Sequence, residues 1–521
     1  MNRPTRKNMD RRDFLKKTAI GAAVLGLVLN IPGCMSKKES TAKKKNILFI
    51  SVDDLNTDLN CYGAEYIHSP NIDKLASEGL LFNRSYCQMS VCSPSRTSLL
   101  TGTRPENNGV MDLKTHFRDT LGDDITTLPQ HFKNHGYYTR SFSKIFHPTL
   151  DDPKSWSEES WWSQYPDKFN YRVPEIDNVL NAEFKQFIAD NAEELEDLPK
   201  EEQFNRFRRK FRGPSWGAPE VEDNQLADGE CADEVIKALR SVGDKPFFFA
   251  AGLRKPHLPW VAPKKYYDLY PLDEIELADN NYFPEDAPAV AGFNWGELRK
   301  YRDIPQEGPV SDKQAAELTR AYYACVSFID AQVGKMMAEL EAQGLRENTI
   351  VILWGDHGFH LLDHGIWCKH TNFEVAARAP MIISAPGMTE VGKTSEALTE
   401  FVDIFPTLCE LANLPIPKHV EGTSYKPLLN NADLSWKKAA FTVYPRKVAN
   451  VGVVMGTSMR TDRYRYAEWR NDGAGFLELE LYDHKNDPDE NVNIANLPEN
   501  SVIVNKLSNQ LAAGWKGAIP E

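Results

Sequence analysis

The chain has 521 residues, of which 41% are hydrophobic and 26% charged, so its composition is that of a globular protein rather than a disordered one. This length accommodates a large catalytic domain and a smaller second domain. The net charge of −13 excludes the basic footprint of a nucleic-acid-binding protein, and we expect no nucleic-acid partner. An anionic substrate is not excluded, because a local basic pocket can lie within an acidic protein.

The N-terminal segment predicts export. Arg11 and Arg12 precede the apolar run Ala19–Leu29, which is too short to span a bilayer. A lipoprotein-type cleavage box follows, with Cys34 as the acylated residue. We therefore expect residues 1–34 to be a twin-arginine, lipoprotein-type signal peptide read by the Tat export machinery. The protein would then lie in the periplasm or at the cell surface, anchored to a membrane through a lipid on Cys34. The alternative, a buried N-terminal helix, would not need paired arginines.

Apolar runs without alternation recur along the chain and predict strands buried on both faces of a sheet. These runs are Asn46–Val52, Pro246–Ala250, Thr349–Trp354 and Pro380–Ile383. Helical patterns lie between them, one following Asn71 and a long amphipathic one from Ser311 to Gly344. Buried strands that alternate with helices predict an α/β fold with a large, mostly parallel sheet flanked by helices.

The hydrophobic pattern of the sequence changes from about Ala439. Apolar and polar residues alternate there, as is typical of an antiparallel sheet. We predict a polar linker at 35–45, a catalytic domain at 46–435 and a C-terminal antiparallel α+β subdomain at 436–521. Residues 151–230 are rich in tryptophan, proline and charge and fit neither core. Long insertions of this kind usually shape the rim of a pocket, which is the role we predict for them.

Polar residues directly follow three of the predicted strands. They are Asp53-Asp54, Arg254 to His257, and Asp356-His357. In open α/β sheets ligands bind at the carboxyl ends of the strands, so these clusters can converge there. Adjacent carboxylates repel each other unless a cation or protonation relieves them, and oxygen-rich clusters favour hard cations such as calcium or magnesium. A solvated acidic turn is the alternative for the first pair.

The strongest motif is Cys92-Ser93-Pro94-Ser95-Arg96. A thiol held just before a helix start lies in a positive field, although a free cysteine in a loop is a simpler alternative because short motifs recur by chance. The segment resembles the signature of the formylglycine-dependent type I sulfatases, in which a maturase oxidises the cysteine to an aldehyde. This resemblance implies an alkaline-phosphatase-like sulfatase fold and a formylglycine (3-oxoalanine) made from Cys92.

The resemblance also implies a metal site. In the resembling family, Asp53, Asp54, Asp356 and His357 together with the modified Cys92 would hold one calcium ion. Many sulfatases have asparagine where this chain has His357. The histidine is the variant of iduronate-2-sulfatase-like members, so it places the chain near that branch.

Further motifs resemble the same branch. Ser143–Pro148 and Leu253–Pro259 are similar to two sulfatase pocket motifs, and Trp367-Cys368-Lys369 adds a third cation. Two residues separate the lysine and the histidine of the first motif, as in iduronate-2-sulfatase-like members, whereas arylsulfatases typically leave one.

The resemblance assigns a role to each of these side chains. Lys144 and Lys369 would neutralise sulfate oxygens with calcium, and Arg96 would hold the oxygens of the modified cysteine and offset charge at the metal site. His257 would protonate the departing sugar oxygen. His147 would take the proton from the remaining hydroxyl of the hydrated formylglycine, so that sulfate is released. Histidine ordinarily titrates near neutral pH, as acid–base work requires.

The expected substrate is a sulfate ester of a uronate-containing polysaccharide or oligosaccharide, either ulvan-like or a glycosaminoglycan. Phe204–Arg212 interleaves basic and aromatic residues and suits sugar recognition, with a solvated helix face as an equal alternative. Two other functions stay open at this point: a phosphoester or phosphonate hydrolase of the same superfamily, and a non-catalytic polysaccharide-binding lipoprotein. The second predicts missing site residues, and none of the expected ones is missing.

Overall fold

A seven-stranded sheet lies at the centre of the protein. The computed structural model describes residues 43–164 and 171–520, so the predicted signal peptide and Cys34 lie outside the described residues. Within these two ranges, no helix is both long and apolar enough to cross a membrane. Seven cysteines fall in the same ranges, and all are free thiols.

The strands are β1 (Asn46–Val52), β2 (Leu80–Phe82), β3 (Ser85–Tyr86), β4 (Tyr138–Ser143), β5 (Trp216–Gly217), β6 (Phe247–Leu253), β7 (Trp260–Val261), β8 (Thr349–Gly355), β9 (His360–Leu361), β10 (Trp367–Cys368), β11 (Met381–Ser384), β12 (Lys393–Ser395), β13 (Thr399–Glu400), β14 (Ala440–Val448), β15 (Gly452–Arg460), β16 (Tyr464–Asn471) and β17 (Phe476–Asp483). The α-helices are α1 (Pro70–Ser77), α2 (Cys92–Thr101), α3 (Pro105–Asn108), α4 (Phe117–Leu121), α5 (Leu128–Asn134), α6 (Pro174–Asp190), α7 (Ala192–Leu195), α8 (Lys200–Lys210), α9 (Ala227–Ser241), α10 (Lys264–Tyr267), α11 (Asp312–Ala342), α12 (Glu374–Ala377), α13 (Ile404–Leu411) and α14 (Ser501–Ala513).

The central sheet has the strand order β12-β2-β11-β8-β1-β6-β4. Its strands β8, β1, β6 and β4 are all parallel, which confirms the α/β prediction. The predicted strand Pro380–Ile383 is observed as β11, and it runs antiparallel to both of its neighbours, β8 and β2. The sheet is therefore mostly parallel with one reversed strand.

Both faces of the sheet are covered, which explains why its strands do not alternate in polarity. Along β1, Leu48 and Ile50 belong to one buried apolar cluster while Ile47 and Phe49 belong to the other. The long helix α11 covers the first face. It begins where predicted, because the hydroxyl of Ser311 accepts a hydrogen bond from the backbone of the third helical residue. Helices α2, α5 and α13 contribute to the second face.

The C-terminal region forms the predicted antiparallel sheet, in the order β14-β15-β16-β17. Helix α14 packs on it through Leu507, in an apolar cluster that includes Met459, Tyr466 and Leu481. Residues from Lys44 onward form one compact unit, so the boundary between a catalytic domain and a subdomain at 435 and 436 stays a prediction.

Candidate active site

The carboxyl ends of β1 and β8 bring the two predicted acidic pairs together. The strands pair in parallel register up to Val52 and Gly355, so the residues that follow them are neighbours. The backbone N–H of Asp54 donates a hydrogen bond to Oδ1 of Asp356 over 2.9 Å. Asp54 has a φ of 63°, a left-handed conformation that aspartate tolerates better than most residues. The turn after β1 is thus shaped by a direct bond to the turn after β8.

Cys92 lies against these pairs as the first residue of helix α2, where the sequence had placed it just before the helix. Its Sγ is 3.4 Å from Nε2 of His357 and 3.8 Å from Oδ1 of Asp54. Burial raises the pKa of the Cys92 thiol well above its usual range, and the charge of Asp53 raises it further. The unmodified thiol is therefore held neutral.

The ligand-type atoms around Cys92 suit a metal ion. Two sets of such atoms each lie within 4.8 Å of one another: Asp53, Asp54, Cys92 and His257 in one set, and Cys92, Asp356 and His357 in the other. Together they contain all five predicted ligands. Nδ1 of His357 is 2.9 Å from the carbonyl of Gly358, which directs its hydrogen there and leaves the Nε2 lone pair facing the carboxylates. Carboxylate oxygens with one imidazole fit a divalent cation.

Arg96 is completely buried and joins the two acidic turns. Its Nε donates to Oδ2 of Asp356 over 2.8 Å, and its Nη2 lies 3.3 Å from Oδ1 of Asp53. Its Nη1 donates to the carbonyl oxygens of Lys144, at 2.5 Å, and Ile145, at 3.2 Å. The predicted charge-offsetting role of Arg96 therefore matches its contacts. Because its donors are taken up by the protein, it orients carboxylates rather than offering a free guanidinium.

Lys144 and Lys369 supply the other two buried cations. Lys144, just after β4, pairs with Asp53, while Lys369, just after β10, donates to both carboxylate oxygens of Asp54 at 2.9 and 2.8 Å. Burial alone would raise the pKa of Asp53, but Lys144, His257 and Arg96 hold it well below its usual range. Burial likewise opposes the charge on Lys369, yet the neighbouring carboxylates raise its pKa well above normal. Both lysines are charged in the folded protein.

His257 lies in the loop after β6 and faces an acidic residue that the sequence did not point to. Its Nδ1 is 2.6 Å from the carbonyl of Leu258, and its Nε2 is 3.1 Å from Oε1 of Glu297. Both ring nitrogens therefore face oxygen atoms, one of a backbone carbonyl and one of a carboxylate. Oε2 of Glu297 is also 2.8 Å from Nζ of Lys369. Burial would raise the pKa of Glu297, but Lys369 and His257 lower it well below its usual range.

His147 is in a different environment from His257. Burial and the charge of Lys144 together lower the pKa of His147 to about 3, so the ring is neutral at working pH. Within the described residues its Nδ1 is buried without a hydrogen-bond partner. A neutral ring with a buried open nitrogen can accept a proton, as predicted for His147, but it is a weaker base than a histidine with the reference pKa.

The phenylalanines of Phe204–Arg212, for which sugar recognition and a solvated helix face were equal alternatives, pack together in the structure. Phe207 is buried, and Phe204 and Phe211 pack with it and with Phe184 and Phe187 in a small aromatic cluster between α6 and α8. The alternation of aromatic and basic residues in Phe204–Arg212 is thus the pattern of an amphipathic helix with its own core. Whether residues 151–230 shape the rim of the pocket stays a prediction.

Comparison with known proteins agrees with this geometry. The family model described as "Sulfatase" matches residues 45–414, and the model for the C-terminal part of N-sulphoglucosamine sulphohydrolase matches residues 362–516. Iduronate 2-sulfatase of Mus musculus is 32% identical, over 89% of this chain and 93% of the relative.

Two solved structures share the fold at 22% identity. The first was determined in complex with its substrate D-glucosamine-2-N,6-O-disulfate. It has a TM-score of 0.70, and the match covers 91% of the present chain and 98% of the solved chain. The other is the phosphonate monoester hydrolase of Agrobacterium radiobacter, with a TM-score of 0.68 and coverages of 90% and 95%. They confirm the alkaline-phosphatase-like sulfatase fold. The chain belongs to the sulfatase family and is a sulfuric ester hydrolase.

Glu297→Gln should weaken proton donation by His257. The amide keeps the size of the side chain but removes the charge that faces His257 and Lys369. We expect kcat/KM for a sulfated sugar to fall by about tenfold to a hundredfold, because a positioned general acid contributes about a hundredfold to ten-thousandfold and the variant only impairs it. Hydrolysis of nitrophenyl sulfate, whose leaving group is already a stable anion, should change less.

The matched control is Glu307→Gln, an exposed glutamate further along the same loop, which should leave both rates unchanged. Steady-state kinetics on both substrates check the expectation. Equal losses of Glu297→Gln on both substrates would contradict a role in proton donation.

Proposed function

We propose that the protein hydrolyses sulfate esters of a uronate-containing polysaccharide or oligosaccharide, ulvan-like or a glycosaminoglycan, with calcium and a formylglycine made from Cys92. The observation that carries this proposal is the position of Cys92 within the buried cluster of Asp54 and His357, flanked by Lys144 and Lys369. The similarity to iduronate 2-sulfatase, an enzyme named for a uronate substrate, supports the substrate class.

The formal charges of the cluster support a divalent ion and an anionic substrate. Three aspartates and Glu297 face the cations of Arg96, Lys144 and Lys369, which leaves one net negative charge when the histidines are neutral. A divalent cation held by Asp53, Asp54, Asp356 and His357 reverses this to one net positive charge and supplies electrostatic stabilisation of oxyanions. A sulfate monoester carries a single negative charge and balances it. Calcium is our choice because carboxylate oxygens dominate the ligand set.

The remaining roles follow from the positions of the side chains. Formylglycine at position 92, once hydrated, supplies one oxygen to attack sulfur and a second hydroxyl for the release of sulfate. Lys144 and Lys369 place positive charge beside Cys92, where sulfate oxygens would lie. His257, whose Nε2 faces Glu297, can donate a proton to the leaving sugar oxygen. His147, which is neutral, can accept one.

Export is part of the proposal. The paired arginines Arg11 and Arg12 and the apolar run before Cys34 support transport by the Tat machinery and a lipid anchor in the periplasm or at the cell surface. The proposal also requires a formylglycine-generating maturase as a transient partner of the unfolded Cys92 segment, because Cys92 is buried in the folded protein.

Conversion of Cys92 is the first expectation. Protein produced with a maturase should show an intact mass that corresponds to loss of the thiol sulfur and gain of an aldehyde oxygen, and it should release sulfate from sulfated oligosaccharides. Cys92→Ala should fold but release none, whereas Cys61→Ala, which changes a half-buried free cysteine, should remain active. Sulfate release by Cys92→Ala would contradict the mechanism. Faster turnover of matched phosphate or phosphonate esters would favour the superfamily alternative.

Metal binding is the second expectation. Purified protein should contain one divalent ion per chain by elemental analysis, and a chelator should lower its melting temperature, because a ligand that binds only the folded state stabilises it. Asp54→Asn should lose the ion and the response to chelator. The exposed Asp472→Asn is the control and should behave like the unchanged protein. A metal-free protein with unchanged melting temperature and activity would refute the site.

Division of labour between the two histidines is the third expectation. His257→Ala should slow sugar sulfates far more than nitrophenyl sulfate, because donation matters little for a stable leaving anion. His147→Ala should accumulate a sulfated form of residue 92 whatever the leaving group, which intact mass spectrometry detects. Each loss should lie in the range of about a hundredfold to ten-thousandfold. Equal dependence of the two variants on leaving-group pKa would mean that the roles are assigned wrongly.

A further inference from the structure

A cavity of about 710 Å³ lies between the loop Pro288–Asn294 and the antiparallel sheet. Its wall includes Phe293, Tyr444, Arg446 and Phe476. This volume falls in the range of about 300–1,000 Å³ that is typical of small-ligand sites. Aromatic faces and charged side chains in one wall suit a polar ligand with apolar faces, such as a sugar ring.

His370 connects this cavity to the active site. It follows Lys369 directly, and its Nε2 is 3.6 Å from Oε2 of Glu297, the residue that faces His257. On the other side, its Nδ1 is 2.8 Å from the hydroxyl of Tyr444, and its ring is 4.7 Å from that of Phe293. The cavity therefore lies on the same side of the active site as His257 and Glu297. Because His257 is proposed to protonate the leaving sugar oxygen, this is the side on which the sugar would lie.

Arg446 is a half-buried cation with neutral partners. Its Nη2 donates to the carbonyl of His370 and its Nε to the carbonyl of Val290 over 3.3 Å. Its guanidinium carbon lies 4.4 Å from the ring centre of Tyr444 and 5.4 Å from that of Phe293. No carboxylate in residues 43–164 or 171–520 comes within 4.0 Å of it, whereas the buried arginines in these ranges, Arg96, Arg104, Arg460 and Arg465, all pair with acids.

A guanidinium that is half-buried without an acid beside it is destabilising unless an anion completes its contacts. Burial lowers the pKa of Arg446, which agrees with an unbalanced charge. Planar guanidinium groups match oxyanions through paired hydrogen bonds. The exposed Lys447 and Glu478 at the edge of the cavity cancel each other, so Arg446 provides its net positive charge.

We propose that this cavity is a saccharide subsite in which Arg446 binds an oxyanion substituent of the substrate, a sugar carboxylate or a second sulfate group. The inference rests on the proposed function and extends it, since it assigns recognition of the charged sugar to the start of the antiparallel sheet. The basic stretch of the insertion is not required for it.

The test compares three sulfated disaccharides that share the cleavable sulfate: one with a uronate carboxylate, its carboxyl-reduced counterpart, and the reduced form with a second sulfate. Arg446→Met should lower kcat/KM for the carboxylated substrate by about tenfold to a hundredfold, mainly through KM, because hydrogen bonds to charged groups are worth about that factor. The reduced substrate should be unaffected. Arg446→Lys should recover part of the loss. A loss confined to the third substrate would identify the second sulfate as the oxyanion.

Arg470→Met is the matched control, because Arg470 lies in the same sheet but pairs with Glu468 and Asp472. Its kcat/KM for each of the three substrates should equal that of the unchanged protein. Equal losses of Arg446→Met on every substrate, including complete inactivity, would assign it a structural role and overturn the subsite. If the unchanged protein released sulfate from none of them, the proposed function would fail, and the subsite with it.

Discussion

The structure depends on keeping a dense set of charges away from water at the carboxyl ends of β1 and β8. Asp53, Asp54 and Asp356 are buried there together with three cations, and Arg96 bonds to one aspartate in each acidic turn. Removing one partner of a buried ion pair costs about 3–5 kcal/mol, because the other charge is left uncompensated. The helix that carries Cys92, the turn after β1 and the turn after β8 are therefore fixed relative to one another by electrostatics as well as by packing. Such a site is organised before substrate arrives.

Much of this arrangement could be predicted, because its signals are local. The non-alternating apolar runs predicted the buried strands. The polar residues that follow these runs predicted the edge of the sheet at which the polar side chains meet. The amphipathic pattern from Ser311 to Gly344 likewise predicted α11. The reversed direction of β11 could not be predicted, since Met381–Ser384 has the same apolar pattern as a parallel strand and its direction is set by pairing with Trp354 and Phe82.

The parts of the site that escaped prediction are those that depend on long-range proximity. Glu297 lies in an irregular loop with no periodic pattern, and its contacts are with Lys369 and His257, each distant in sequence. In the sequence Tyr444 is an ordinary strand residue, and only the folded structure shows that it contacts His370. For Phe204–Arg212 the local pattern left two alternatives open, and the structure adds that its phenylalanines pack one helix against another.

The aromatic cluster between α6 and α8 has a consequence for how this protein can vary. Phe187, Leu195 and Phe207 form a core separate from the two that enclose the central sheet. Helix α6 also contributes Leu180 to the core on the first face of the sheet, so this residue attaches the segment to the rest of the protein. Because this core shares no residue with the charge cluster at the ends of β1 and β8, substitutions within it should leave that cluster undisturbed.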